Sequence, residues 1–443
     1  MIFKKLRGVK VKHYKNTADI APKRINTPKT VYLPMAMHLG SPARIVVKAG
    51  DLVRVGTLIG EYGAGLSSPV YSSVSGTVKK IDEIVMIAGN HVPTVIIESD
   101  GEQCVDERIA PRSVNSKAEL LEALSESGIV GLGGAGFPTL IKLSADNDRV
   151  DTLIVNGAEC EPYITSDTRT MIDRADEIAS GIALICKYLE IERVIIGVEK
   201  NKPACIESMR RATEGMNGVS VMPLPSVYPQ GGEKVLAYHT TGRIIPRGKL
   251  PLDVGLIVMN CTTVATIARF ISTGMPLVEK CVTVEGSAVN EPKNLLVPIG
   301  TPVRELIEYC GGFREEPKKV LYGGPMMGIS LADIDSPILK QTNAVIFMGE
   351  KEATPPTETP CIRCGACINS CPFSLDPVAI AKAYKANDPE ALSRLGIDIC
   401  MECGCCSYVC PAKRNIVQRN KLAKTMLREY RMKQKAMGGS KNG

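Results

Sequence analysis

Tryptophan is missing from this 443-residue chain, and there are only six Phe and four His. So few aromatic rings argue against a surface that stacks nucleic-acid bases, and nucleic acid is not expected as a partner. The histidines, at positions 13, 38, 91 and 239, form no nucleophile–base set, so no catalytic side chain of that kind is expected. Long apolar runs are missing too. The best candidate, residues 255–268 (GLIVMNCTTVATIA), contains Asn260 and several Thr and is shorter than the ~20 residues that cross a bilayer. The opening MIFKKLRGVKVKHYK lacks the apolar core of an export signal. The expectation is a protein in the cytoplasm or peripheral on the cytoplasmic face of the cell membrane.

The formal net charge of +7 is unevenly spread. Residues 1–30 hold nine Lys/Arg against Asp19, and residues 413–443 hold ten against Glu429, so the body between carries about −10. Two basic ends on an acidic body fit electrostatic docking to an anionic lipid or protein surface, and fit equally two solvated tails. A chain of this length should hold three or four domains.

Cysteine is what the chain has in plenty. Sixteen thiols without an export signal point to metal ligation rather than disulfides. Cys361-x-x-Cys364-x-x-Cys367-x-x-x-Cys371-Pro recurs as Cys400-x-x-Cys403-x-x-Cys406-x-x-x-Cys410-Pro. Three thiolates at this spacing wrap one face of an iron–sulfur cubane, and the fourth reaches the neighbouring cluster. Cys361, Cys364, Cys367 and Cys410 are therefore expected on one [4Fe–4S] cluster, and Cys371, Cys400, Cys403 and Cys406 on the other. Four-thiolate zinc would leave the regular third and fourth cysteines unexplained. Cys405 has no place in the pattern and reads as a buried packing residue. Between the motifs, two Asp-Pro dipeptides open short helices, with Asp as N-cap and Pro at the first helical position.

Paired clusters pass single electrons, so a donor or acceptor site is needed elsewhere. The strongest candidate is Gly131-Leu132-Gly133-Gly134-Ala135-Gly136-Phe137-Pro138-Thr139, with Lys142 one turn on. It contains G-x-G-x-x-G, yet a helix capped by Asn115 or Ser116 precedes it rather than a strand, which is not the dinucleotide fingerprint's setting. Its backbone N–H groups remain suited to a phosphate, with Lys142 supplying charge.

The GLGGAGFPT-x-x-K segment resembles the flavin-binding segment of the NADH-binding flavoprotein subunit of respiratory complex I. It resembles still more the RnfC family, the NADH-side subunit of the membrane-bound Rnf ferredoxin:NAD oxidoreductase. DTLIVNGAECEPYITSDTRTM (151–171) resembles the family's strand and acidic loop, so Asn156, Glu159 and Glu161 are implied at FMN and nicotinamide nucleotide, with Ala158 where complex I relatives carry Asp. PQGGEK (229–234) resembles a second loop and implicates Glu233. The resemblance implies FMN and two [4Fe–4S] clusters as cofactors and NAD(H) as substrate. It also implies partners among the other subunits of a membrane complex, with ferredoxin reached directly or through a neighbour. Flavin suits this task because it stores zero, one or two electrons and so joins hydride donors to one-electron carriers.

The expected architecture is multidomain, mixing α/β and α+β units. A basic segment (1–30) precedes a barrel-sandwich hybrid (31–111), read from short Gly-broken β runs. That unit resembles lipoyl carriers but has no Lys in its hairpin stretch 63–70, so it reads as a structural or docking module. An α/β FMN/NADH-binding domain (112–265), a β-grasp unit of the soluble-ligand-binding (SLBB) type (266–348) and a linker (349–360) follow. A two-[4Fe–4S] ferredoxin-like domain (361–414) and a basic helical tail (415–443) complete it. The tail carries Ala423, Met426, Leu427 and Tyr430 along one side, suited to lipid or to a partner. The function expected is a subunit passing electrons between NAD(H), FMN and two clusters in an ion-translocating complex. The alternatives are a soluble flavin/iron–sulfur reductase of the cobalamin-reductase type and a non-catalytic iron–sulfur relay.

Overall fold

The computed structural model describes residues 7–86, 89–144 and 150–439. Lys4 and Lys5 of the basic segment and the last four residues lie outside them. Four parallel strands form the central sheet, in spatial order Val219–Leu224, Arg193–Glu199, Thr152–Gly157 and Leu256–Asn260. The Val/Ile/Leu runs of the three strands Arg193–Glu199, Thr152–Gly157 and Leu256–Asn260 are nearly all buried, as parallel strands covered on both faces demand, while the edge strand Val219–Leu224 is largely half-buried. The chain starts this sheet at Thr152–Gly157, builds outward to one edge, and returns to add Leu256–Asn260 on the other side. Strand order therefore reverses between these two strands, and a crevice opens at their carboxyl ends. Asn156 and Asn260 face each other there as register partners.

Two helices, Ser166–Asp173 and Ala175–Leu189, follow the strand Thr152–Gly157 and its acidic loop. Arg174 leaves the helical region at φ −129° and ψ 31°, and Asp176 and Glu177 supply negative charge to the second N-terminus. The boundary expected at residue 265 is corrected. It falls inside helix Cys261–Thr273, which packs on Ala175–Leu189 as part of the α/β domain.

Residues 30–99 form the expected pair of small sheets. The stretch that would be a carrier's free tip is pinned. Lys340 Nζ, fully buried, donates to Pro69 O at 2.6 Å, to Gly128 O at 2.8 Å and to Ser68 Oγ at 3.3 Å, tying the hybrid, the α/β domain and the β-grasp unit together. In the β-grasp sheet, strands Glu279–Glu285 and Lys293–Pro298 pair antiparallel, and Lys23–Arg24 adds a parallel edge strand.

That edge strand corrects the reading of residues 1–30 as a docking segment or tail. Residues 7–25 are a strap laid across the other domains. Val9 bridges Tyr228, Tyr14 stacks on Tyr163 at 4.8 Å, and Asn16 donates to Glu285. Lys15 is half-buried, its side chain 13% exposed, and its Nζ donates to the carbonyls of Glu159, Glu161 and Ile164. The C-terminal helix, Ile416–Gly439, likewise turns its apolar side inward. Ala423 and Leu427 are buried in the cluster module's core, with Met426 and Tyr430 packed against it. That side is not free for lipid.

Candidate functional site

The helix before the glycine loop is Lys117–Ser125, capped by Ser116, whose hydroxyl accepts from Glu119 N. The loop closes on itself, with Gly131 N donating to Phe137 O at 2.8 Å and Gly136 N to Gly131 O at 3.1 Å. Helix Thr139–Ser144 follows it. Gly134 and Gly136 hold φ of +112° and +64°, which only Gly adopts easily, and they turn the loop outward. Gly133, Gly134 and Ala135 are exposed, so the outer face is backbone with no side chain beyond a methyl.

The inner face is clamped from three sides. Leu132 N donates to Thr263 Oγ1 and Lys280 Nζ donates to Leu132 O, both at 2.9 Å. Leu39 N of the hybrid module donates to Gly136 O at 2.9 Å. Gly133 lies against Asn260, whose side chain accepts from Thr263 N and donates to Asp167 Oδ2 at 2.7 Å. The loop is thus rigid before any ligand arrives and sits beside the crevice that the sheet topology creates. Burial lowers the Lys280 ammonium to about 8, with Asp167 opposing.

Of the other expected residues, Lys142 and Glu233 meet each other rather than standing apart. Lys142 Nζ donates to Glu233 Oε1 at 3.0 Å and to Val258 O at 2.9 Å, 5.9 Å from the centre of the Phe137 ring. Pro138 and Thr139 are buried under the loop. Asn156 Nδ2 donates to Gly231 O at 2.9 Å, joining the strand end to the second glycine loop. Glu159 turns inward. Its carboxylate accepts from Asp167 N, Thr168 N and Thr168 Oγ1 at the start of helix Ser166–Asp173, with Lys15 and Lys202 beside it, and its side chain is 4% exposed. Glu161 accepts from Met326 N and Met327 N of the β-grasp unit at 3.1 and 2.8 Å, and burial pushes its carboxyl up to about 7.

The eight motif cysteines gather into two pockets. Cys361, Cys364, Cys367 and Cys410 line one, and Cys371, Cys400, Cys403 and Cys406 line the other together with Cys405. Among the described residues no three His, Cys, Asp or Glu side chains converge closely enough for a single ion. Each set of four thiols lines one pocket, the arrangement the two expected [4Fe–4S] ligand sets need. The second pocket adjoins the α/β domain. Tyr228 Oη donates to Cys403 O at 2.7 Å, Cys405 Sγ lies 3.8 Å from Tyr228 O, and Met401 packs on Gly232. The loop bearing Gly231 and Gly232 thus touches Asn156 at one end of the site and the Cys400–Cys406 motif at the other.

Several of these residues carry no local signal in sequence. Lys15, Tyr228, Lys280 and Lys340 act across long stretches of chain. Asn260 was findable, since it ends a strand and caps the next helix.

An open glycine loop at the crevice of the sheet, which residues 228–232 join to one of two cysteine pockets, fits an electron-transfer protein that carries flavin and iron–sulfur centres. The family comparisons agree. Residues 3–102 match the RnfC barrel sandwich hybrid domain, 124–269 the Nuo51 FMN-binding domain, 281–330 the SLBB domain and 359–414 the 4Fe-4S dicluster domain. The chain is 42% identical over 364 residues to a subunit of the proton-translocating ferredoxin:NAD(+) oxidoreductase complex of Clostridium ljungdahlii, covering 81% of this chain and 78% of that one. It is 39% identical to the matching subunit of the Na(+)-translocating complex of Acetobacterium woodii, covering 84% and 85%. To the counterpart in the ion-translocating oxidoreductase complex of Rhodobacter capsulatus it is 38% identical, covering 87% and 75%. The chain belongs to the RnfC family. It is an oxidoreductase subunit whose cofactors are FMN and two [4Fe–4S] clusters. A crystal structure of an NAD+-reducing [NiFe]-hydrogenase shares the fold, with TM-score 0.51 and 17% identity over 71% of this chain and 63% of that one. Among the described residues no helix is long and apolar enough to cross a membrane.

Proposed function

We propose that this chain exchanges electrons between NAD(H) and ferredoxin as a peripheral subunit on the cytoplasmic face of a membrane complex whose other subunits move ions. FMN would be held at Gly131, Gly133, Gly134, Ala135, Gly136 and Phe137, with Asn156 and Asn260 at the strand ends and the Lys142–Glu233 pair at the mouth. Flavin supplies the conversion between hydride and single-electron chemistry. The chain's own residues prepare for it. Thr263, Lys280 and Leu39 fix the loop so that its N–H groups need no reorganisation on binding. Glu159 and Glu161 serve the frame, the first capping a helix and the second joining the acidic loop to the β-grasp unit. Cys371, Cys400, Cys403 and Cys406 would hold the cluster nearer the flavin, and Cys361, Cys364, Cys367 and Cys410 the farther one.

One observation carries this reading. The 228–232 segment reaches both Asn156 and the Cys403 loop, so a flavin at the crevice and a cluster in the adjoining pocket share one wall. The test is to reconstitute the chain with iron, sulfide and FMN without oxygen, add NADH, and follow cluster absorbance. Bleaching that requires FMN is expected. An unbleached chain with FMN bound and about eight iron atoms would leave only a relay role.

A further inference from the structure

The pocket of Cys371, Cys400, Cys403 and Cys406 is walled mainly by apolar side chains, Phe373, Leu375, Met401 and Val417 among them. Besides the thiols, its polar side chains are Glu402 and Asn420. Asn420 is 2% exposed and stands near the start of the last helix, Ile416–Gly439. Its Nδ2 lies 3.8 Å from Cys400 Sγ, placed to donate to the sulfur, and among the described residues its Oδ1 has no partner. A primary amide is costly to bury without hydrogen bonds, so the contact with sulfur is the one that accounts for it here. Lys424, one turn on, donates to Cys400 O at 2.9 Å and to Glu402 Oε1 at 2.6 Å. Leu375 N donates to Cys371 Sγ at 3.4 Å. The other pocket is built differently. No amide side chain lines it, and Cys361 and Cys364 are exposed, so water reaches their sulfurs.

We propose that the last helix, through Asn420 and Lys424, sets the reduction potential of the cluster held at Cys371, Cys400, Cys403 and Cys406. A thiolate-bound cluster is anionic, and reduction adds one more negative charge. In an apolar pocket that charge is costly, so burial alone holds the potential down. An N–H aimed at a ligand sulfur stabilises the reduced cluster more than the oxidised one and raises the potential. Lys424 acts in the same direction through its charge and neutralises Glu402, the one carboxylate on the wall. Both side chains act through Cys400 and are positioning residues. The proposal rests on the ligand sets given above and adds to them the groups that tune one cluster apart from the other.

The test is a redox titration of the reconstituted full chain with dithionite and mediators, no NADH added, followed by low-temperature electron paramagnetic resonance. Asn420→Leu nearly keeps the shape and removes the donor. At a fixed ambient potential the reduced-to-oxidised ratio of one cluster should fall on the order of tenfold, about 59 mV for one electron. The other cluster should stay where it was, with about eight iron atoms retained. Lys424→Met leaves Glu402 unpaired and should move the same cluster in the same direction. The Lys424 side chain is 32% exposed, so its shift should shrink between about 20 mM and about 500 mM salt. An Asn420→Leu chain that keeps its iron and both potentials overturns the proposal. So does an equal shift of both clusters, which would report a general loosening of the module. If Asn420→Leu loses iron, Lys424→Met decides: a shift confined to one cluster upholds the proposal, and unchanged potentials overturn it. Because the reductant is chemical, a chain that fails to bleach with NADH still answers the question. Failure of the proposed function and failure of the tuning are thus told apart.

Discussion

Replacing Lys340 by Met perturbs the point where three domains meet. The amine is fully buried, and its hydrogen-bond acceptors are two carbonyls and a hydroxyl rather than a carboxylate. Burial brings it from its ordinary 10.5 down to about 7. In the unfolded chain it holds its proton up to about 10.5. Between pH 7 and 10.5 the unfolded state therefore binds more protons, and this group makes the fold more stable as pH rises, by about 1.4 kcal/mol per pH unit. Below pH 7 both states are protonated and the slope vanishes. Met removes the slope and also the hydrogen bonds, leaving Pro69 O and Gly128 O without their donor at a cost of about 1–3 kcal/mol each. The deficit of the variant should thus be smallest near pH 7 and should grow by about 1.4 kcal/mol for each unit toward pH 9. Urea unfolding of the FMN-loaded chain at pH 7, 8 and 9, followed by flavin fluorescence, measures it. A deficit of the same size at all three pH values would refute this account of a buried amine held by neutral acceptors.

Thr263→Val keeps the shape but orphans the buried Leu132 N–H. It should cost about 1–3 kcal/mol, read as FMN affinity weakened by roughly 5- to 100-fold in a fluorescence titration, while Thr263→Ser stays near wild type. Cys371→Ser should lower bound iron from about eight to about four atoms per chain, whereas Cys405→Ser should leave it unchanged, as iron analysis and low-temperature spectroscopy would show. Lys15→Met removes a half-buried ammonium from beside Glu159 and from three carbonyls. A loss of about 3 kcal/mol and faster proteolysis within residues 7–25 are expected; an unchanged digestion pattern would contradict the strap.

Local spacing determined a large part of this protein. The cysteine motifs name their own ligand sets because a cubane demands thiolates at fixed intervals, and Asp376 and Asp388 cap their helices where Asp-Pro says they should. The strand at 152–157 was legible within the segment 151–171, and the glycine loop from residues that only a tight backbone needs. Tertiary structure decided what distance in sequence conceals. Lys15 meets Glu159, Lys280 meets Leu132, and Lys340 meets Pro69, each across more than a hundred residues. It also turned the basic N-terminal segment into a strap, faced the apolar side of the last helix inward, and made Glu159 and Glu161 part of the frame. Periodicity reports only whether a side chain is buried. Which partner satisfies a buried charge is settled by the packing of whole domains, because a buried ammonium or carboxylate persists only where the assembled fold supplies its hydrogen bonds.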